Sequence, residues 1–484
     1  QKLFATAHAK PGPVHLSLPA DVAGHQVSSV PLTRQALPQR KRPSKLSVGK
    51  VAKLLQGAKL PVIIAGDGVL WEKGDRTAQQ VLAFAKAHNI PVVPSTIAKG
   101  MFPWNNSQVL PPLAANAKGP GGDVLRRADV IISVGYHPTE TFDPAKFNPK
   151  NRAKVVQISA EKLARGQRIE GMKPTVEITS RLSTALRDIH RALGRHRAPQ
   201  SVSKLTALVR SRHDQDLLAA SKRVEAKAGQ GLPPERVIAE VRRGLDGALG
   251  VDGKSATAKA KSKDGSMVFA DIGVNKGMMT HWFRVDRGRE LMINNGMSTM
   301  GIALPSAVGA KLANPRLKVV SVSGDGGFMM TAQELATAAQ KKLPVVHVVL
   351  IDKHLGLIDN HQQRHGFKHS GVDLPANANL IKVAKGLGAD AKLVKDPTKI
   401  AALVKNGLAG NKPLLIGVPV DYSRVHEKAA REGQKERKVQ KQAQLQRHAV
   451  KTRAMGARSL RLHGSLRGLR QVKPRASRLG LKRR

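Results

Sequence analysis

Two aspartates stand at equivalent points of two apolar segments, and this arrangement constrains the fold more than any other feature of the chain. Asp325 closes the run 318–324, and Asp352 closes the run 344–351, twenty-seven positions later. Both runs are rich in β-branched residues and are typical of strands buried on both faces of a parallel sheet. The chain is therefore predicted to have an α/β fold.

A helix is predicted between these two strands. Thr331 and Glu334 form the pattern of a capping box, which indicates a helix that opens at Thr331. Such a strand–helix–strand unit brings both carboxylates to the carboxyl edge of the sheet, where open α/β sheets bind ligands. Paired carboxylates suit a hard divalent cation, and the N–H groups of the glycine turn at 324–327 suit phosphate. Together these residues predict a diphosphate held through Mg²⁺.

The composition is that of a globular protein with more than one domain. The 484 residues leave room for two or three domains, and 41% of them are hydrophobic although only 3% are aromatic. The absence of cysteine excludes disulfides, thiolate nucleophiles and cysteine metal sites. No apolar run reaches the length of a membrane span, so we expect a soluble, cytoplasmic protein without a membrane partner. The chain begins at Gln1 without a signal-peptide pattern, which favours a fragment or a processed product.

The net charge of +48 is extreme for a chain of this length. The segment 423–484 holds 20 Lys/Arg residues against 3 acidic ones, yet most of the excess lies in residues 1–422. Such a surface favours non-specific binding of polyanions with a steep dependence on salt. Interleaved aromatic residues for base stacking are missing and no nucleic-acid-binding motif is found, so we interpret the charge as a surface property.

Alternating strand and helix patterns divide the chain into two α/β domains, each expected to be a doubly wound parallel sheet. The strands predicted for the first domain are 61–65, 90–94, 130–134 and 154–159. The predicted organisation is a polar linker over 31–45, a central α/β domain over 46–193, a helical connector over 194–231, a second α/β domain over 232–422 with a disordered insertion at 250–265, and a basic, disordered tail over 423–484.

The first domain holds a second Gly-Asp-Gly turn, at 66–68. It also follows an apolar strand, but the residue twenty-seven positions after Asp67 is Pro94, whose side chain cannot bind a metal. We therefore interpret this turn as structural. A lone Gly-Asp-Gly is weak evidence, and the metal prediction depends on the matching carboxylate of Asp352.

The segment 324–354 resembles the thiamine-diphosphate motif, in which a Gly-Asp-Gly turn is followed at this spacing by Asn or Asp. Other parts of the chain are similar to acetolactate synthases, especially to their catabolic, FAD-independent branch. These parts are 99–103, 134–140, 291–305, 307–310 and 417–423, and the similarity extends over about residues 1–195 and 232–423.

The resemblance implies a role for each matching residue. The implied cofactor-binding residues are Asn275, Ser298, Met300, Asp325, Gly326, Gly327, Asp352, His354, Gly356 and Leu357, and the implied metal-binding residues are Asp325, Asp352 and His354. His354 would bind Mg²⁺ through its backbone carbonyl, and Met300 would support the cofactor in its bent form. Asn275 stands where the family usually has a histidine that contacts the diphosphate, and asparagine can still donate a hydrogen bond there.

The resemblance also implies what the chain lacks. In the family, a glutamate of an amino-terminal pyrimidine-binding domain activates the cofactor, and here only residues 12–22 resemble that domain. We expect residues 1–30 to be a remnant of it, and we assign no catalytic residue. Family sites form between two subunits, which implies a homodimer or homotetramer. The segment after Gly135 lacks the arginine- and aspartate-rich stretch of FAD-dependent relatives, so no FAD is expected.

Several of these features also have plainer interpretations. A methionine beside glycines is more often packed in a core. His361, His365 and His369 recur every four residues and could indicate zinc, but Gly366 interrupts the helix and no acidic residue follows at zincin spacing. The Lys/Arg runs of the tail are typical of solvated charge.

The resemblance predicts a transferase that condenses two pyruvates to 2-acetolactate with release of CO₂, using thiamine diphosphate and Mg²⁺. One alternative is another 2-oxo acid decarboxylase or carboligase on the same scaffold. The other is a non-catalytic, polyanion-binding relative, which the net charge favours.

We expect the 484-residue polypeptide to bind the cofactor and Mg²⁺ but to show little or no synthase turnover, because the activating glutamate belongs to the pyrimidine-binding domain. The measurement is acetolactate formation by the purified polypeptide with pyruvate as the only substrate. Formation of acetolactate under these conditions would contradict the prediction.

Overall fold

Two parallel sheets form the framework of the chain, which confirms the predicted fold class. The computed structural model describes residues 42–73, 75–113, 119–137, 144–161, 171–223, 231–246, 265–375 and 379–425, with a few residues further on. The predicted remnant 1–30, most of the linker 31–45, the insertion 250–265 apart from Gly265, and almost all of the tail 423–484 lie outside the described residues.

The first sheet has five parallel strands in the order β2-β1-β3-β4-β5. Its strands are β1 (Pro61–Ala65), β2 (Val92–Pro94), β3 (Val130–Val134), β4 (Lys154–Ser159) and β5 (Val176–Thr179). Its helices are α1 (Lys45–Gln56), α2 (Gly68–Lys73), α3 (Asp75–His88), α4 (Pro120–Arg127) and α5 (Leu182–Leu193), with 3₁₀ turns at Ala98–Met101, Pro144–Lys146 and Pro149–Asn151. Three strands have their predicted bounds, β2 is shorter than predicted, and β5 is an additional strand.

Both faces of the first sheet are covered, which explains why its strands are mostly apolar. Along β1, Ile63 and Ala65 pack into one core together with helices α1, α3 and α5. Val62 and Ile64 pack into a second core on the opposite face, together with α4. All four side chains are completely buried. Successive strand residues point to opposite faces, so a strand buried on both sides needs an apolar residue at every position.

The second sheet has six parallel strands in the order β10-β11-β9-β8-β6-β7. Its strands are β6 (Ser266–Ala270), β7 (Leu291–Ile293), β8 (Lys318–Gly324), β9 (Val345–Ile351), β10 (Asp390–Leu393) and β11 (Leu414–Pro419). In the chain order, α6 (Gln200–Lys222) comes between the two sheets. The helices of the second domain are α7 (Pro234–Asp246), α8 (Val274–Trp282), α9 (Ala303–Ala313), α10 (Asp325–Thr331), α11 (Glu334–Gln340), α12 (Gly356–His365), α13 (Leu380–Gly386) and α14 (Ile400–Ala409), with a 3₁₀ turn at Pro397–Lys399.

The prediction that a helix opens at Thr331 is wrong. Gly324 is the N-cap of α10, which begins at Asp325 directly after β8, and Thr331 is its last residue. The Thr331 hydroxyl donates to the carbonyl of Gly301 at 2.8 Å and so caps no helix. The helix that follows, α11, has Gln333 as its N-cap without a side-chain hydrogen bond. A tertiary contact therefore takes the hydroxyl that the local pattern assigned to a cap.

Lys99 connects the segment after β2 to the carboxyl end of α8. Its ammonium donates to the carbonyls of Met279 at 3.0 Å and Thr280 at 2.7 Å, and also to that of Phe283. Burial lowers the pKa of Lys99 to about 7. The three carbonyl oxygens oppose this lowering of the pKa. The carboxyl end of a helix carries a partial negative charge, and the ammonium has three N–H groups to donate. Lys99 thereby holds the carboxyl end of α8. The first turn of α8, at its amino end, belongs to the site described below.

Contacts divide the chain into two units. The first comprises the described residues of 1–356 and 373–422 and includes both sheets, and the second comprises 357–372 and the described residues from 423 onward. Among the helices of the described residues, none is both long and apolar enough to cross a membrane.

His347 is a polar residue at the centre of the second sheet. It is completely buried in β9, and its Nδ1 and Nε2 lie 2.7 and 3.0 Å from the hydroxyls of Ser321 and Ser323 on β8. Burial lowers the pKa of His347 to about 3, so the imidazole stays neutral in the folded protein. A neutral ring has one donor and one acceptor nitrogen, which the two hydroxyls satisfy.

We predict that His347 makes the stability depend on pH below neutrality. Between its ordinary pKa of 6.5 and its folded pKa of about 3, only the unfolded chain takes up the proton. As the pH is lowered through this range, protonation of this group in the unfolded chain should decrease the free energy of unfolding by at most about 1.4 kcal/mol per pH unit. Urea denaturation at pH 7, 6 and 5 should show a shallower dependence for His347→Gln, which keeps a donor and an acceptor but does not titrate. Equal slopes for both proteins would contradict the prediction.

Candidate functional site

Asp325 and Asp352 lie beside each other at the carboxyl edge of the second sheet. β8 and β9 are adjacent, parallel and in register, so the residues that follow them meet at the same edge. The Asp325 carboxylate accepts hydrogen bonds from the N–H groups of Gly326 at 2.9 Å and Lys353 at 2.7 Å. The second bond ties the end of β8 to the segment that carries Asp352. The structure thus brings together the two carboxylates that the sequence pairs.

The two carboxylates destabilise each other's charged form. Burial raises the pKa of Asp325, and burial together with the Asp325 charge raises the pKa of Asp352 to about 7. Tyr422, which the sequence pattern does not mark, is buried, and its pKa is raised by burial and then by the charges of Asp352 and Asp325. A divalent cation would remove this repulsion, because an opposite charge close by favours the ionised carboxylates.

The glycine turn at the start of α10 is closely packed by neighbouring side chains. A Cβ on Gly326 would lie 2.8 Å from Leu355 Cδ2 and 3.2 Å from Met300 Cε. A Cβ on Gly327 would lie 3.3 Å from the carboxylate of Asp271. Side chains at these two positions would therefore clash with or crowd their neighbours. The same distances place Met300 against the glycine turn, and its supporting role stays a prediction.

Asp271 is a residue of the site that the sequence analysis missed. It follows β6, is almost completely buried, and accepts hydrogen bonds from the N–H groups of Ile272 at 2.6 Å, Gly301 at 2.8 Å and Ala303 at 3.4 Å. Burial raises the pKa of its carboxyl group, and the three N–H donors oppose that change. Asp271 thus fixes the turn after Met300 against the end of β6. No local motif marks it, since two of its partners lie 30 and 32 residues away.

Ser298 lies in the same turn region, in a strained conformation. Its φ is +51°, a value that L-residues rarely adopt, and its N–H donates to the carbonyl of Asn295 at 3.1 Å. The side chain is exposed. Such strain tends to occur where a segment is shaped for a ligand, which supports the predicted use of this backbone for the aminopyrimidine.

Asn275 and Lys276 form the first turn of α8, beside the glycine turn. Asn275 is buried, its side-chain amide donates to the carbonyl of Asp271 at 2.9 Å, and its Oδ1 lies 3.9 Å from where a Cβ on Gly324 would be. Lys276 is half-buried and donates to Oδ1 of Asn295 at 2.8 Å. Asn275 is therefore close to the place predicted for the diphosphate, and Lys276 adds a cation that the sequence analysis missed.

The segment after Asp352 holds the remaining predicted residues. The His354 ring has Nδ1 2.6 Å from the Asp352 carbonyl oxygen and Nε2 3.0 Å from Asp373 Oδ1. Gly356 is buried at the first position of α12. Leu357 belongs to the second unit, where its side chain is 44% exposed. The proposed roles of these residues stay predictions.

The histidines that could have indicated zinc lie in the second unit. His361 and His365 lie on α12, with their ring centroids 4.3 Å apart. The helix ends at His365 and Gly366 has a φ of +76°, as its predicted interruption requires. His369 Nδ1 lies 2.8 Å from Asp359 Oδ1. His369 thus has a carboxylate partner within the second unit.

The described residues fit a Mg²⁺–diphosphate group. Oxygen ligands from carboxylates are those that Mg²⁺ prefers, and Asp325 and Asp352 supply two at one sheet edge. The site also lies where the chain order reverses, since β7 and β8 lie on opposite sides of β6. Open α/β sheets bind ligands at such switch points. The Gly326 N–H donates to Asp325, and the other backbone N–H groups at the start of α10 would face the phosphates of a bound diphosphate.

Comparison with protein families agrees with this geometry. Residues 271–418 match the model of the C-terminal thiamine pyrophosphate binding domain of thiamine pyrophosphate enzymes, and residues 48–189 match the model of their central domain. These ranges contain the second and first sheets, respectively. The chain therefore belongs to the family of thiamine pyrophosphate enzymes.

Several curated proteins are similar over most of the chain. A probable acetolactate synthase large subunit of Methanocaldococcus jannaschii is 28% identical over 421 residues, covering 85% of this chain and 67% of that protein. The acetolactate synthase of Bacillus subtilis is 29% identical over 416 residues, with the same coverage of 85% and 67%. The catabolic acetolactate synthase of Raoultella terrigena is 26% identical over 434 residues, covering 86% of this chain and 70% of that protein.

We predict that Asp271→Asn weakens both the fold and the site. The amide keeps one acceptor oxygen but turns an NH₂ group toward a backbone N–H, which leaves buried donors unsatisfied. The free energy of unfolding in urea should fall by about 1–3 kcal/mol. Asp390→Asn, an exposed aspartate on β10 of the same sheet, is the matched control and should change little. Equal stability of Asp271→Asn and the wild type would contradict the role assigned to Asp271.

Proposed function

We propose that this protein binds thiamine diphosphate through Mg²⁺ at the carboxyl edge of the second sheet and serves the condensation of two pyruvates to 2-acetolactate. The convergence of two buried carboxylates, Asp325 and Asp352, carries the cofactor part of the proposal. Similarity to acetolactate synthases supports the reaction. The bound cofactor would supply a carbon nucleophile for decarboxylation and carbon–carbon bond formation. The protein residues bind, orient and shield it.

Each group of residues has a separate task in this proposal. Asp325 and Asp352 would hold Mg²⁺, and the backbone of the glycine turn at 324–327 would receive the diphosphate. Met300, which lies against this turn, would support the cofactor, and Asp271 keeps the turn after Met300 in place. The activating glutamate of the family belongs to a pyrimidine-binding domain, so turnover requires that domain to meet this site.

Exposed methionines support the proposed homo-oligomer. Met297, Met329 and Met330 have exposed fractions of 91%, 46% and 55% and lie on the segment before Met300 and on α10. Large apolar side chains beside a cofactor site suit a covering protein surface, since isolated domains rarely leave such groups together in water. We propose that a second copy, as a dimer or tetramer, covers this side of the site.

The proposed lack of FAD has support in the first sheet. Its switch point lies between β1 and β3, where a nucleotide would be expected to bind. There the Gly66 N–H donates to the Val134 carbonyl at 3.0 Å and the Gly68 N–H to the Gly135 carbonyl at 2.8 Å. A Cβ on Gly68 would lie only 2.8 Å from Gly135. The backbones that follow β1 and β3 are thus in direct contact at this switch point.

Two other functions remain as candidates. A related 2-oxo acid decarboxylase or carboligase would use the same cofactor site with another substrate. A polyanion-binding role is favoured by the net charge of +48, and it predicts binding that disappears at high salt.

Calorimetric titration with thiamine diphosphate and Mg²⁺ tests the cofactor site. We expect Mg²⁺-dependent binding by the wild type and a loss of affinity of more than about 100-fold for Asp325→Ala, which removes a direct metal ligand. Asp67→Ala is the matched control, because Asp67 occupies the same Gly-Asp-Gly pattern in the first sheet. Absence of Mg²⁺-dependent binding by the wild type, or an equal loss in Asp67→Ala, would overturn the proposal.

A further inference from the structure

Lys276 is a half-buried cation whose charge is not neutralised within the described residues. Its ammonium donates to the side-chain oxygen of Asn295 at 2.8 Å, and no carboxylate of the described residues pairs with it. Burial lowers its pKa, as expected for an ammonium without a counter-charge. The side chain therefore lies in a place where an anion would stabilise it.

The buried arginines of the same domain are paired with carboxylates. The most deeply buried of them, Arg242, is 2% exposed and donates to Glu290 at 2.6 Å and to Asp286 at 2.7 Å. The buried Lys311 instead donates to a backbone carbonyl at 2.6 Å. Within the described residues, Lys276 has a neutral amide oxygen as its partner, and an ammonium has three N–H groups to donate. Lys276 can therefore take an anionic partner in addition.

The position of Lys276 indicates what that partner is. Its neighbour Asn275 lies beside Gly324, at the start of the glycine turn. Its hydrogen-bond partner Asn295 lies three residues before Ser298, in the segment that would hold the aminopyrimidine. The ammonium thus contacts the segment after β7, and the residue that carries it follows directly on the one beside Gly324.

The charges of the site also call for a cation. Asp325, Asp352 and a diphosphate together carry more negative charge than one Mg²⁺ neutralises, and Asn275 is neutral. We propose that Lys276 binds the diphosphate of the cofactor and supplies this missing positive charge. The inference rests on the proposed function and assigns to the site a residue outside its Gly-Asp-Gly and glycine-turn motifs. A charged hydrogen bond to phosphate is among the stronger polar contacts in proteins.

The test is calorimetry with two probes, thiamine diphosphate and inorganic pyrophosphate, each with Mg²⁺. Lys276→Gln keeps a donor for Asn295 but removes the charge, and it should weaken both probes by about 10-fold or more. Lys276→Arg keeps the charge and should remain within about threefold of the wild type, a difference below 1 kcal/mol. Lys382 is an exposed lysine on α13, and Lys382→Gln is the control for the loss of one positive charge elsewhere on the chain. It should change the affinity for neither probe.

Asn295→Ala separates the effect of the Lys276 charge from the effect of the Lys276–Asn295 hydrogen bond. If Lys276 acts only through that hydrogen bond, Asn295→Ala should weaken binding of both probes and Lys276→Gln, which keeps a donor, should not. This result would overturn the inference. Unchanged affinity of Lys276→Gln for pyrophosphate would also overturn it. Melting temperatures of all variants identify any loss of folding. If one variant is destabilised, the comparison of Lys276→Arg with Lys276→Gln still shows whether the positive charge is needed for binding. A wild type that binds pyrophosphate but not thiamine diphosphate would contradict the proposed function and leave the anion contact supported.

Discussion

The parallel pairing of β8 with β9 is the constraint on which the site depends. Parallel strands in register end at the same edge of a sheet, so Asp325 and Asp352 are held side by side. Burial raises the pKa of both carboxyl groups, and the charge of Asp325 raises that of Asp352 further. The protein alone therefore holds this pair at an electrostatic cost that a divalent cation would relieve. The surrounding turns are arranged around that pair.

The two sheets join their strand ends in the same way at their switch points and differ in what lies beside them. In the first sheet, backbone hydrogen bonds from Gly66 and Gly68 join the ends of β1 and β3. In the second sheet, the Asp271 N–H donates to the Val322 carbonyl at 2.9 Å and joins the ends of β6 and β8. The Asp271 side chain in addition accepts N–H groups from the turn after Met300 and holds that turn beside the sheet edge. The two Gly-Asp-Gly turns therefore have different neighbours.

Local patterns predicted the strands well and one helix start badly. Runs rich in β-branched residues identify strands that are buried on both faces, and the bounds of β1, β3, β4 and β8 agree with that expectation. The capping box at Thr331 failed because the Thr331 hydroxyl bonds to Gly301, which is far away in the sequence. Asp271, Tyr422 and Lys276 were missed for the same reason, since their partners come together only after folding.

The α/β class, the pair Asp325 and Asp352 and the family resemblance follow from the sequence alone, because strand periodicity and motif spacing are local properties of the chain. The folded structure was needed to show which carboxylate holds the turn after Met300, and that Lys276 has a neutral amide oxygen as its partner within the described residues. Strand order and burial determine these properties. Both depend on contacts between distant segments, and a linear pattern does not contain them.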